Sequence, residues 1–350
     1  MSDQNKNNKI ISSGEQSNPV MVEVTRGNMV ESIHRAAYAV VDSDGKVVLS
    51  GGDYEKVTYG RSAIKCLQAL PLIETGAADA FNLTDAEISI ACASHDGQPR
   101  HVDTVAAWLK KIGCSADDLE CGSHLPYHTQ SMIELLRSGG SETALHNNCS
   151  GKHVGFLTVC KQMAVNSKGY VKYEHPLQQR ILGAMESMCG LDLGNAPQGH
   201  DGCGIPVIGV PLANIALAMA RFADPSDQPE SRQEACARIT KAIAAEPFMI
   251  AGSDRFCTKI IEATKGRALI KTGAEGVYTG IIPELGLGIA LKADDGVTRS
   301  AETLIGMILK KLQIIDPATA ENLKSVLEPP IFNRAGLQVG QIRAAQNAPF

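Results

Sequence analysis

The stretch Arg61-Ser62-Ala63-Ile64-Lys65-Cys66-Leu67-Gln68 sets the reading of the whole chain. Ala63, Ile64, Leu67, Ala69 and Leu70 recur at helical spacing, and Tyr59-Gly60 ahead of them permits a sharp start. The spacing predicts a helix from about Ser62 to about Gly76, running through Pro71. Ser62 and Lys65 lie three apart, on one face of that helix. A serine hydroxyl attacks well only with a base in reach, and an amine serves only if burial or a second cation lowers its pKa. The positive field at a helix N-terminus favours both the alkoxide and the neutral amine. This is the chemistry of a Ser-x-x-Lys pair. Alone, the pair reads first as a first-turn serine and a solvated lysine.

A second mark lies far downstream. Ile270-Lys271-Thr272-Gly273 opens a strand-like run, and Lys-Thr-Gly on a strand beside the site accompanies Ser-x-x-Lys in serine acyl-transferases. Its lysine brings positive charge, and its glycine lets a substrate lie close to the backbone. Ser94, in Ala93-Ser94-His95-Asp96-Gly97, stands where a middle polar element is needed, although Ser-Asp-Asn itself is absent. If Ser94 faces Lys271 as Ser62 faces Lys65, the site holds two Ser–Lys pairs whose amines lower each other's pKa.

Composition sets the limits around this core. The 350 residues are 44% hydrophobic and 20% charged, enough for a sizeable core. A net charge of -5 without a dense basic run argues against nucleic acid or an anionic membrane as partner. Aromatic residues, at 4%, are too sparse for a base-stacking platform. No apolar run is long enough to span a bilayer. Residues 1–18 are polar, show no signal-peptide pattern and read as a disordered tail. Ten cysteines without a secretory signal favour free thiols and a cytoplasmic location.

Strand signals gather at the two ends of the chain. Val22 to Thr25 is β-branched, and residues 29–51 read as a hairpin turning at Asp42-Ser43-Asp44-Gly45. Runs at 267–272, 276–282 and 287–292 read as a three-strand meander, followed by a helix over 301–312. Between them fall helices at 102–112, 129–138, 154–163, 176–188, 212–222, 231–245 and 254–264. The pattern of 87–93 fits either a short strand or the end of a helix. The expected fold is α+β: a mainly antiparallel sheet built from both chain ends and flanked by helices, with a helix-rich middle. Residues 19–60 with 266–350 would form the sheet region and 61–265 the helical region of one catalytic unit.

Two polar, glycine-rich loops hold the cysteines that need a reason: Asn148-Cys149-Ser150-Gly151-Lys152-His153 and Gly199-His200-Asp201-Gly202-Cys203-Gly204. Neither is a Cys-x-x-Cys pair, so spacing alone gives little sign of zinc, and tight turns explain the glycines equally well. Together with Arg26-Gly27-Asn28-Met29-Val30-Glu31-Ser32-Ile33-His34-Arg35, Arg61 to Lys65, Ala93 to Gly97 and Lys271-Thr272-Gly273-Ala274-Glu275-Gly276, these blocks resemble the Rhizobium etli-type, or class 3, L-asparaginases. The resemblance runs from about Val22 to about Arg343.

The resemblance implies a serine β-lactamase/glutaminase-like fold and a homodimer. It implies that Ser62 with Lys65, and Ser94 with Lys271, form two catalytic tandems. It implies a Zn²⁺ held by Cys149, Lys152 and Cys203, with Asp201 and His153 behind them. Arg61 is a candidate for the substrate carboxylate by charge and position. The expected activity is hydrolysis of L-asparagine to aspartate and ammonia. Two alternatives stay open: an acyl-transferase of β-lactamase, transpeptidase or glutaminase type, and a catalytically silent zinc-binding protein.

Overall fold

The computed structural model describes residues 17–349. Most of the expected tail lies outside the described residues, but Asn18 is tied down. Its side chain donates to Asp294 Oδ1 (2.7 Å) and accepts from Asp53 N (2.7 Å).

Eleven strands form two antiparallel sheets among the described residues. They are β1 (Val20–Arg26), β2 (Met29–Asp42), β3 (Val47–Gly51), β4 (Val57–Tyr59), β5 (Gln198–His200) and β6 (Pro206–Pro211), then β7 (Leu269–Thr272), β8 (Val277–Ile282), β9 (Leu287–Ala293), β10 (Pro330–Phe332) and β11 (Gln338–Ala344). The large sheet runs β10-β11-β1-β2-β9-β8-β7, with β3 also on β2. The N-terminal hairpin thus meets the C-terminal meander along β2 and β9, in register from Ala36 opposite Ala293 to Asp42 opposite Leu287. This is the α+β arrangement that the sequence leads one to expect.

All six residues of β8 are buried, so both faces of the sheet are covered there. Helices Leu212–Ala223 and Thr298–Lys311 both pack on β8 and β9. The first comes so close that a Cβ on Gly288 would lie 2.1 Å from both Ala216 O and Ala220 N, which is why the strand carries glycine there.

Of the two forms open for residues 87–93, the helix is the one found: it runs Asp85–Ala91, begun by a capping box between Thr84 and Glu87. Three expectations need correction. The helix expected at 154 begins at Ser150, so Lys152 and His153 are helical rather than in a loop. The loop around 198–204 is the turn of a β5–β6 hairpin, which with β4 makes a second, three-stranded sheet. Strands β10 and β11, absent from the sequence reading, extend the large sheet beyond β1.

Candidate active site

Ser62 sits in a single 3-10 turn, Arg61–Ile64, and Lys65 is the first residue of the α-helix that follows, Lys65–Glu74. Three residues per turn place positions 62 and 65 on one face. Arg61 is held at φ 48°, a strained value for a residue with a side chain, directly ahead of the serine. The large sheet braces this turn from β8: Thr279 Oγ1 donates to Ala63 O (2.7 Å). A Cβ on Gly273 would lie 3.1 Å from both Ala63 N and Gly60 O, so the Lys-Thr-Gly strand end lies flush against the serine turn.

Ser62 is half-buried, and its hydroxyl makes no hydrogen bond among the described residues. The Lys65 amine points inward, fully buried. It donates to Ser94 Oγ (3.1 Å), to Cys149 Sγ (3.1 Å) and to Ala93 O. Lys271, at the end of β7, donates to the same Ser94 Oγ (2.8 Å) and to Thr272 O (2.7 Å). Two amines therefore meet on one buried hydroxyl. Burial, and then the neighbouring Lys65, bring the Lys271 amine down to about 7.

The structure brings residues 65, 94 and 271 together, and Ser62 lies one turn ahead of Lys65. It gives Ser94 two lysine partners and Ser62 none. Spacing showed the shared face of Ser62 and Lys65, but not the direction a long side chain takes when better acceptors lie inside.

Cys149, Lys152 and Cys203 also converge, all three buried. Lys152 Nζ donates to Cys203 Sγ (3.0 Å), and the two thiols are hydrogen-bonded to each other. The bond from Cys203 holds the Cys149 thiol well below its usual value, against burial. The same bond, with burial, pushes Cys203 up. Burial opposes charge on Lys152, but Cys203 and Cys149 outweigh it and hold the ammonium above its usual range.

Among the described residues no three of His, Cys, Asp or Glu gather as a metal site. A metal centre at this place needs the amine as its third donor. Two buried sulfurs and one nitrogen are a donor set that suits Zn²⁺.

The remaining candidates surround this pair of clusters. Asp201 Oδ1 takes Nε (3.0 Å) and Nη2 (2.8 Å) of Arg61 and N of Gly202 (2.8 Å). This clips the hairpin carrying Cys203 to the turn carrying Ser62, and commits two Arg61 donors to Asp201. His153 Nδ1 bonds with Tyr170 OH (2.7 Å), and its buried Nε2 has no hydrogen-bond partner among the described residues.

Two supporting residues went unnamed in the sequence. Asn147 accepts from Cys149 N (2.8 Å) and donates to Cys121 O (2.8 Å), an Asx turn its position before Cys149 would have suggested. Tyr170, which also accepts from Glu120 N (2.8 Å), gave no sequence signal at all.

The family model for L-asparaginase II matches residues 22–344. The chain belongs to the L-asparaginase II family. It is accordingly an amidohydrolase of the L-asparaginase type. The matched span of this L-asparaginase II family chain includes both amine clusters and all the strands from β2 to β11. No curated protein matches it. Solved structures similar to it include a β-lactamase from Mycobacterium bovis, at 15% identity and a TM-score of 0.41, covering 79% of this chain and 94% of that one. Another is a D-alanine carboxypeptidase from Burkholderia cenocepacia, at 14% identity and a TM-score of 0.38, covering 78% and 93%. Likeness at that level says nothing of function, and the fold of this L-asparaginase II family chain is read from its strand order.

Proposed function

We propose that the chain hydrolyses the side-chain amide of L-asparagine to L-aspartate and ammonia, with Ser62 as nucleophile and Lys65, Ser94 and Lys271 as its proton network. The observation that supports this best is the meeting of the Lys65 and Lys271 amines on Ser94 Oγ, at 3.1 and 2.8 Å. Ser62 is the more accessible hydroxyl and has no bond to give up, whereas Ser94 is buried between two amines. Catalytic hydrogen bonds often tighten only once substrate is bound, and Ser62 and Lys65 lie on one face of the same turn.

In this reading Ser62 Oγ attacks the amide carbon. Its proton passes through Lys65 and Ser94 to Lys271, which is poised to accept it near pH 7. The positive charge left among the amines stabilises the oxyanion. The proton then goes to the departing nitrogen, the C–N bond breaks, and ammonia leaves an aspartyl ester on Ser62. Water, deprotonated by the same network, cleaves the ester.

Cys149, Lys152 and Cys203 would hold Zn²⁺, and the ion would supply fixed positive charge for orienting the substrate beside this network. The proposal includes a homodimer working in the cytoplasm; sedimentation equilibrium reads the first. One alternative draws on the hydrogen bonds themselves: Ser94 attacks, and Ser62 relays the proton.

The test is ammonia release from L-asparagine and L-glutamine by the wild type, Ser62→Ala and Ser94→Ala. Turnover on asparagine that falls at least about 1,000-fold in both variants supports the proposal. Near-wild-type turnover by Ser62→Ala overturns it.

A further inference from the structure

The hydroxyl of Ser94 is useful only if it stays between two lysines, and its own backbone is pinned on both sides. Ser94 N donates to Ile250 O (3.0 Å), Asp96 N to Ala251 O (3.0 Å), and His95 N to Asn148 O (3.2 Å). Two residues beyond Ser94, the Asp96 carboxylate packs onto the backbone of Gly252. A Cβ there would lie 2.3 and 2.4 Å from the two carboxylate oxygens, and Gly252 holds φ at +123°. His101 closes the other side. Its ring is fully buried and stacks on Phe248 (4.6 Å) and His95 (4.9 Å).

Asp96 Oδ1 and His101 Nδ1 face each other at 3.4 Å. Both atoms are buried, and neither has a hydrogen-bond partner among the described residues. The other ring nitrogen, Nε2, lies 3.2 Å from Phe248 O, so it carries a hydrogen and donates to that carbonyl. One further proton between Oδ1 and Nδ1 satisfies both orphaned atoms. Nothing in the proposed reaction uses this proton.

We infer that Asp96 and His101 form a positioning pair for the reaction, locking residues 94–96 against 250–252 and so holding Ser94 Oγ between Lys65 and Lys271. The inference rests on the role given to Ser94 under the proposed function. Neither residue touches the reacting atoms. Displacing a catalytic group by about 1 Å costs on the order of 100-fold in rate, because proton transfer needs aligned partners.

Three variants test it: Asp96→Ala, Asp96→Asn and His101→Phe, each with kcat, KM and thermal midpoint on L-asparagine. Asp96→Ala leaves Nδ1 unpaired, and His101→Phe keeps the stack but leaves Asp96 Oδ1 unpaired, while Oδ2 keeps its bond from Gln98 Nε2 (3.1 Å). Both are expected to lose about 10- to 100-fold in kcat with KM within about twofold. Asp96→Asn keeps the shape and donates an amide hydrogen to Nδ1, so it should recover most of kcat.

Should Asp96→Ala fail to fold, His101→Phe decides. Wild-type kcat in folded His101→Phe, or a loss that appears in KM instead, overturns the inference. So does an Asp96→Asn variant as slow as Asp96→Ala. Ser94→Ala is measured beside them: wild-type turnover there brings down the role of Ser94 itself, whereas an inactive Ser94→Ala with active Asp96 and His101 variants removes only the positioning pair.

Discussion

The state of Lys271 should set the acid limb of the reaction. Its amine lies at about 7, lowered first by burial and then by Lys65. Both amines touch Ser94 Oγ, so they are no more than about 6 Å apart, and at an effective dielectric of about 20 that separation gives ~3 kcal/mol of repulsion, or about two pK units. Burial lowers the amine further still, and Cys257 and Cys149 offset part of the total. Lys271 accepts a proton only when neutral, and its neutral fraction rises from about one-tenth at pH 6 to about nine-tenths at pH 8. The assay is kcat for ammonia release from L-asparagine between pH 5 and 9. The expected limb rises about tenfold from pH 6 to pH 8 with a midpoint near 7. In Lys65→Met the residual turnover should show the midpoint moved up by about two units. A flat wild-type profile, or a midpoint at 9 or above, would refute the reasoning, since Lys271 would then be an ordinary ammonium.

Other outcomes follow from the same structure. A lysine whose folded pKa lies below its unfolded value of about 10.4 binds fewer protons folded than unfolded, so its cost to stability is greatest below pH 7 and fades as pH rises toward 10. Lys271→Met should therefore be inactive yet more stable near pH 7, where the cost it removes is about 4 kcal/mol before two lost hydrogen bonds offset part of it, and the gain should shrink by pH 10; thermal melts across that range read it. Lys152→Met should lower zinc affinity by more than about 100-fold with the fold retained, measured by equilibrium competition with a chromogenic chelator. Gly288→Ala forces a methyl into the backbone of helix Leu212–Ala223 and should cost about 3 kcal/mol in urea denaturation, far from the reacting groups.

Much of this architecture can be read from residues alone. Alternating and β-branched runs at the chain ends marked β2 and β3 and the β7–β9 meander, because a sheet buried by helices demands apolar residues. The polar signals were weaker guides. Gln198-Gly199-His200 reads as loop because glycine and polar residues dominate it, yet β6 pairs with it over three positions. Apart from the buried Ile342, β10 and β11 hold exposed or half-buried residues with little alternation, and only pairing with β1 makes the sheet there visible.

At the site, the meeting of Ser94 with Lys271 was legible, and the turn of Lys65 away from Ser62 toward Ser94 was not. Spacing fixes which face a side chain leaves from. It does not fix where a four-carbon stem ends, and Lys65 ends on Ser94, Cys149 and Ala93 O. The amine of Lys152 is a poor match to the usual spacing rules for metal ligands, so its place beside Cys149 and Cys203 was carried by resemblance rather than by pattern. His101 was invisible because a lone histidine in an amphipathic helix reads as core, and only its buried nitrogen opposite Asp96 sets it apart.

The claim on which the rest depends is that a serine at the start of the helix carries the aspartyl group between the two halves of the reaction. Acid-quenching the protein during turnover of L-asparagine and mapping its peptides by mass spectrometry tests this directly. The expected result is a mass gain of about 115 Da, the aspartyl ester, on the peptide containing Ser62. The same gain on the Ser94 peptide, or steady ammonia release from protein whose serines never carry it, would contradict the account.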